Sequence, residues 1–344
     1  MCVTRSCSSH WTFSTWVHNN PIEVYVMPYQ ALTLLEFASK YASVDTCHSA
    51  LMDRRWPNGW KCLSCGGVRH YRLHSRRTLQ CANRACRKQV SVTSGSVFEQ
   101  MKIPMPKIFL AIYLMTNKQG ISARSLSKQI DVAYDTAFNL LHKMRAAMSN
   151  HDTQYFLSGQ VQMDESYLGG HSDKVHLPGR SRSTKRVVGV AVEQRGPNQS
   201  GFIHLEALPS ASSESLHGMI LEKIKKGSQL HTDAWTGYQG IAAKGYDHQP
   251  VKSPGGMAAS RKWPLVHRAA SNLCSWLMGT HKQFCTTYLN SYLAEYCWRT
   301  NRRNRTKDEY ASNGREVTLP DRLMTLTARQ PYISALNTRL RHAA

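Results

Sequence analysis

Acidic residues are scarce in this chain. Asp and Glu total 22 against 44 Lys and Arg in 344 residues, a formal charge of +22. The shortage excludes a neutral or acidic surface and argues for a polyanionic partner, nucleic acid above all. Long apolar runs are missing as well. None approaches the ~20 residues that a membrane helix needs, and residues 1 to 26 lack the apolar core of a signal peptide, so a cytoplasmic protein with no membrane partner is expected. In that compartment ten cysteines do not form a disulfide framework. Cys2, Cys7, Cys47, Cys274, Cys285 and Cys297 are scattered and read as free thiols, whereas the other four cluster. There is no internal repeat.

What is present divides the chain into blocks. Residues 1 to 53 read as a polar, aromatic leader followed by an N-terminal helix. The helical text starts near Met27, with Leu32, Leu34, Leu35 and Phe37 as its apolar positions. Met27 is therefore the expected natural start, and residues 1 to 26 are expected to be dispensable. Residues 54 to 98 form a small Cys-rich module, 103 to 148 three helices, and 160 to 305 strands followed by helices. Residues 306 to 344 read as a polar C-terminal tail with little pattern.

Cys62-Leu-Ser-Cys65 is followed after fifteen residues by Cys81-Ala-Asn-Arg-Ala-Cys86. Two short cysteine knuckles supply the four soft ligands of a tetrahedral zinc site, and Gly66-Gly67 allows the tight turn after the first. His70 and His74 lie between the pairs and are alternative ligands. A module of this size buries too little surface to fold without a metal. From Arg54 to Lys88 there are ten Lys and Arg and no Asp or Glu, which suits phosphate contacts.

Ile108, Leu110, Ala111, Leu114 and Met115 recur at helical spacing and Gly120 ends that helix. Ser122 caps a short second helix to Ile130. Asp131-Val-Ala-Tyr is a turn, and a third helix carries Ala137, Leu140, Leu141 and Met144 inward. Short helix, tight turn and longer helix present a recognition helix to the major groove. Tyr134, Thr136, Asn139, His142 and Lys143 are its candidate DNA face, and a plain three-helix bundle is the alternative.

Val161-Gln-Met-Asp164 is a strand ending in an acid. Strands at 186 to 192 and 202 to 208 follow, then an amphipathic helix from Ser213 to Ile224. A further strand ends in Asp233, and helices are expected near 263 to 278 and 287 to 303. This is the order of an α/β fold of RNase H-like type, a mixed sheet with flanking helices. Its first and fourth strands lie side by side, so Asp164 and Asp233 meet across the sequence. Two neighbouring carboxylates repel unless cations neutralise them. Hard divalent ions do so, activate water and stabilise the leaving oxygen of a phosphodiester. The third ligand is expected from the 263 to 278 helix, which has no acid. His267 shares one flank with Cys274 and is the favoured choice; Asn272 on the other flank and Glu295 on the next helix are its rivals.

Taken together, the chain resembles insertion-sequence transposases with an N-terminal zinc ribbon and a DDE-type integrase domain, the ISXO-like group. The resemblance runs from about Met27 to Arg305. It is carried by Arg55-Trp-Pro, the cysteine knuckles, Arg87-Lys-Gln-Val-Ser-Val-Thr-Ser-Gly-Ser-Val-Phe98, Phe109 to Met115, Met163-Asp-Glu-Ser-Tyr-Leu-Gly-Gly170, Thr232-Asp-Ala-Trp-Thr-Gly-Tyr238 and Tyr292 to Arg303. It implies binding of terminal inverted repeats, metal-dependent strand cleavage and strand transfer into target DNA. It also implies a structural Zn2+, catalytic Mg2+ or Mn2+, and a homodimer or higher oligomer at the bacterial nucleoid. The first two acids of the pattern fall at Asp164 and Asp233. The superfamily has Glu where His267 stands and Lys where Cys274 stands. A cysteine there cannot contact a phosphate as lysine does, which keeps open an alternative of another class: a zinc-dependent DNA-binding regulator with an inactive nuclease core. A nuclease without strand transfer is the rival within the enzymes.

Overall fold

The structure is a computed structural model that describes residues 32–73, 78–168, 186–252, 264–282, 286–303 and 318–329. Expectations about the leader, His74, Cys2, Cys7 and Cys285 lie outside the described residues.

Two short helices open the described chain, α1 (Leu34–Lys40) and α2 (Val44–Arg55). Thr33 and Glu36 close a reciprocal capping box on α1, and Ser43 caps α2. A three-stranded antiparallel sheet follows: β1 (His70–Leu73), β2 (Thr78–Cys81) and β3 (Gln89–Ser91). Its own core is Trp60, Cys62, Leu79 and Cys81.

Next come α3 (Met105–Thr116), α4 (Ala123–Gln129) and α5 (Tyr134–Asp152). Ser122 accepts the Ser125 N–H and caps α4. Asp131 turns the chain in the left-handed region, φ 50°, where Asp is tolerated better than bulkier residues, and the Lys107 ammonium holds its carbonyl at 2.8 Å. This is the helix-turn-helix order expected.

The three helices share one core with Phe37 of α1 and Leu51 of α2. The same core takes Leu323, Met324 and Leu326 from a later helix, Leu319–Arg329, and Trp298 from the helix Leu289–Arg303. The segment read as a patternless tail therefore contains a helix that completes the N-terminal core.

The larger sheet holds β4 (Gln160–Leu168), β5 (Arg186–Gly196), β6 (Gln199–Leu208), β7 (Gln229–Asp233) and β8 (Asp247–Val251), in the order β6-β5-β4-β7-β8. β4, β5 and β6 run antiparallel in succession. Helix α6 (Ser213–Lys223) then carries the chain across one face to β7, which pairs parallel with β4. Helices α7 (Pro264–His281) and α8 (Leu289–Arg303) cover the other face. This is an RNase H-like mixed sheet, preceded by a zinc-ribbon module and a helix-turn-helix.

Alternation along the strands sorts side chains between the faces. Val161 and Met163 join Leu216, Met219 and Ile220 of α6, so Gln162 and Asp164 point toward α7. Leu230 likewise faces α6, which turns Asp233 to the α7 side.

Among the described residues, no helix is long and apolar enough to cross a membrane.

Candidate active site and metal centre

The register of the two central parallel strands builds the site. Gln160, Val161 and Gln162 stand opposite Gln229, Leu230 and His231. Carried on by two residues, that register sets Asp164 level with Asp233, on the same face. Each carboxylate is anchored by a nearby backbone amide. Asp164 Oδ1 accepts the Glu165 N–H at 2.9 Å and Asp233 Oδ1 accepts the Trp235 N–H at 3.1 Å.

His267 projects from the second turn of α7 and brings Nε2 to 3.9 Å from Asp164 Oδ2. Their side chains keep 34% and 26% of their exposure, so the pair is open to a substrate. The start of α7 is tied down by Gln162, two residues before Asp164. Its Oε1 accepts the Leu265 N–H at 3.1 Å and its Nε2 donates to Gln194 Oε1 at 2.9 Å. A first-turn amide has no partner within its own helix. Gln162 supplies one from the strand and thereby fixes the distance between the strand and the helix that carries His267.

Tyr238 is fully buried on the α6 face. Burial first, then the charge of the adjacent Glu165 and of Asp164 and Asp233, pushes its phenol well above the usual value.

The rivals for the third position go elsewhere. Asn272 lines a separate cavity of about 600 Å³ on the opposite flank of α7, where neither aspartate nor His267 appears. Glu295 is wholly buried between the Arg145 Nε, at 2.8 Å, and the Arg299 Nη1, at 3.1 Å. It already neutralises two guanidiniums. Cys274 is exposed.

In the small module the four cysteine sulfurs lie within 4.8 Å of one another. Cys62 faces Cys86 at 3.7 Å and Cys65 faces Cys81 at 3.5 Å. Four converging sulfurs fit a tetrahedral zinc ion. The backbone amides of Cys65 and Ser64 push the Cys62 thiol down to about 7, toward the thiolate that a metal needs. Gly66 turns the chain after the first knuckle at φ 71°, a left-handed conformation that favours glycine. His70 packs against Trp60 instead of joining the cluster.

Among the described residues no other group of three or more His, Cys, Asp or Glu is that compact, and Asp164, Asp233 and His267 do not form one. The two carboxylates suit Mg2+ or Mn2+, and the imidazole is the poorer ligand for Mg2+.

Residues 156–301 match the ISXO2-like transposase domain, and residues 43–89 match the transposase zinc-ribbon domain. The chain thus carries an ISXO2-like transposase domain behind a transposase zinc-ribbon domain. A relative described as an uncharacterized protein in transposable element ISH50, from Halobacterium salinarum, is 26% identical over 210 residues, which are 58% of this chain and 70% of that protein. Two solved structures are more remote. A chain of the simian T-cell lymphotropic virus intasome in complex with PP2A regulatory subunit B56 gamma is 14% identical, over 58% of this chain and 70% of that one, with TM-score 0.30. The Mos1 transposase paired-end complex with left transposon end is 11% identical, over 65% and 79%, with TM-score 0.26.

The transposase also departs from the sequence reading on its helix-turn-helix. His142 and Lys143, expected on the DNA face, are 2% and 7% exposed. His142 Nδ1 is paired with Ser291 Oγ of α8 at 3.0 Å, and its ring packs on Phe138 and Tyr288. Residues 141–148 of α5 are buried, His142 against α8, while its start is more open: Tyr134 is exposed, and Thr136 and Asn139 are half-buried. Gln162 and Tyr238 escaped the sequence reading. A glutamine inside an apolar strand, two residues before the acid, was the available signal for the first.

Proposed function

We propose that this insertion-sequence transposase binds the terminal inverted repeats of its element and carries out metal-dependent strand cleavage and strand transfer into target DNA. The observation that carries the reading is the level placement of Asp164 and Asp233 on neighbouring parallel strands with His267 beside Asp164. Asp164, Asp233 and His267 are the residues that would hold the divalent ions, and Cys62, Cys65, Cys81 and Cys86 would hold a structural Zn2+. Divalent ions so held supply an activated water and charge stabilisation at the leaving oxygen. The chain's own part is to keep the ligands apart at a set distance through Gln162 and to hold DNA. The basic ribbon offers phosphate contacts, and Tyr134, Thr136 and Asn139 offer side chains to a groove. Processing two ends together calls for a homodimer or higher oligomer.

The test is cleavage of a duplex carrying the element's terminal repeat in Mg2+ or Mn2+, followed by integration into a supercoiled plasmid. Cleavage lost in Asp164→Ala and Asp233→Ala supports the reading. Cleavage without integration favours a plain nuclease. Site-specific binding with no cleavage in either metal favours the regulator, the reading that Cys274 supports.

A further inference from the structure

Helix α7 has a second working flank. Opposite the His267 side, between α7, the β5–β6 hairpin and α8, lies the cavity of about 600 Å³. Its apolar surface is Val192, Ile203, Leu265 and Ala269. Its polar surface includes Arg195, Arg268, Asn272 and Thr300, and no carboxylate lines it.

The two guanidiniums differ. Arg195 is partly compensated by Glu193 at 3.6 Å. Arg268 donates one hydrogen bond to the Asn198 carbonyl at 2.9 Å and forms no ion pair among the described residues. A guanidinium has five donors in a planar fork suited to phosphate. Most of those donors are available at the mouth of the cavity. An apolar floor with a few convergent polar groups is the usual make-up of a small-molecule site. An anion with a flat apolar body satisfies both halves, and a nucleotide is such an anion. A duplex is too wide to enter.

We propose that this cavity is a nucleotide subsite that receives one unpaired nucleotide of the DNA strand being processed. Its phosphate meets Arg268, Asn272 offers its amide to the base edge, and the base lies over Leu265 and Ala269. The inference rests on the transposase reading above for its source of nucleotide. A helix with side chains is about 10–12 Å across, so the bound nucleotide lies beside the scissile position and not at it. Extruding it costs a few kcal/mol of stacking in the free duplex and least at a frayed or cut end.

The experiment uses the full chain and 5-iododeoxyuridine monophosphate as photo-crosslinking probe, with the attachment site read by mass spectrometry. Attachment at Tyr296 or another cavity residue is expected, suppressed by thymidine monophosphate and much less by thymidine or inorganic phosphate alone. Arg268→Glu should weaken the probe at least ~10-fold, as loss of a charge-assisted contact implies, without lowering the melting temperature. Asn272→Leu should weaken it less. Attachment only in the ribbon or at α5, or equal binding by Arg268→Glu, overturns the proposal. Probe binding needs no metal and no cleavage, so a protein inactive on DNA that still binds the nucleotide at the cavity separates failure of the enzyme reading from failure of this one.

Discussion

Asp164 Oδ2 and His267 Nε2 stand 3.9 Å apart, one at the middle of the sheet and the other on a helix whose first turn is hydrogen-bonded to the same strand. An imidazole in that place is a weaker partner for Mg2+ than a carboxylate and a better one for Mn2+. Asp164→Ala and Asp233→Ala are expected to reduce cleavage to background. His267→Ala should lower it by roughly 10–100-fold or more, with the remaining activity higher in Mn2+ than in Mg2+. His267→Glu should shift the preference back toward Mg2+. Rates measured in both metals check this, and full activity of His267→Ala in both would remove His267 from the site.

Gln162 is the strut behind that distance. Gln162→Leu leaves the Leu265 amide and the Gln194 side chain without their partners inside the protein. A buried group left unsatisfied costs about 1–3 kcal/mol, so the melting temperature should fall. Cleavage should drop as well, because α7 loses its tie to the strand. The losses in Gln162→Leu and His267→Ala should be less than additive in the double variant, since both act through one element. Full additivity in a double-mutant cycle would show that Gln162 serves stability alone.

The ribbon's core is four buried residues, two of them cysteines. So small a core does not offset the chain entropy of ordering forty residues, whereas metal binding does. Elemental analysis should find one zinc per chain. Cys81→Ser or a strong chelator should release it and expose the segment from Trp56 to Ser91 to proteases while the nuclease body stays resistant. A zinc-free protein with a protease-resistant ribbon would contradict the assignment.

The sequence made the sheet and its acids legible because local pattern and long-range pairing agree there. The apolar run before Asp164 and the one before Asp233 are short strands with an acid at a matching position. Other parts depend on what packs where. Asp247–Val251 is polar and contains Pro250, the marks of an edge strand, and no alternation announced it. His142 and Lys143 lie on the polar side of α5 by periodicity, but His142 is covered by Ser291 and Tyr288 and Lys143 is buried beside Gln100 and Met101, partners that no local pattern reveals. Leu323, Met324 and Leu326 were hidden in a polar tail, since an eleven-residue helix carries too few apolar positions to stand out. On α7 the apolar stripe was clear, and with it the two flanks. Only the fold shows that the His267 flank meets Asp164 while the Asn272 flank lines a cavity.

Acid should loosen the union of the helix-turn-helix and the larger sheet domain. Glu295 of α8 binds Arg145 of α5 and Arg299 of its own helix. Arg299 in turn donates to the carbonyls of Asn117 and Lys118 at the end of α3, the second at 3.0 Å. Burial pushes the Glu295 carboxyl up, but Arg145 and Arg299 outweigh it and hold it below its ordinary value. The same cluster holds His281, which burial and the charge of Arg145 push down to about 4. Both groups bind protons more readily when unfolded, so stability rises with pH across their ranges. The His281 contribution is complete above its unfolded value of 6.5 and is lost as pH falls toward about 4. That of Glu295 is present above its unfolded value of 4.5 and is lost as pH falls through its lower folded value. Melting temperatures should therefore be level above pH 7 and decline from about pH 6.5 downward, steepening below 4.5. His281→Phe should flatten the upper part of that decline. Glu295→Gln should destabilise at neutral pH by about 3–5 kcal/mol, because it leaves two buried guanidiniums without a counter-charge, and should remove the steepening below 4.5. A decline of unchanged shape in both variants would place the acid-sensitive groups outside this cluster.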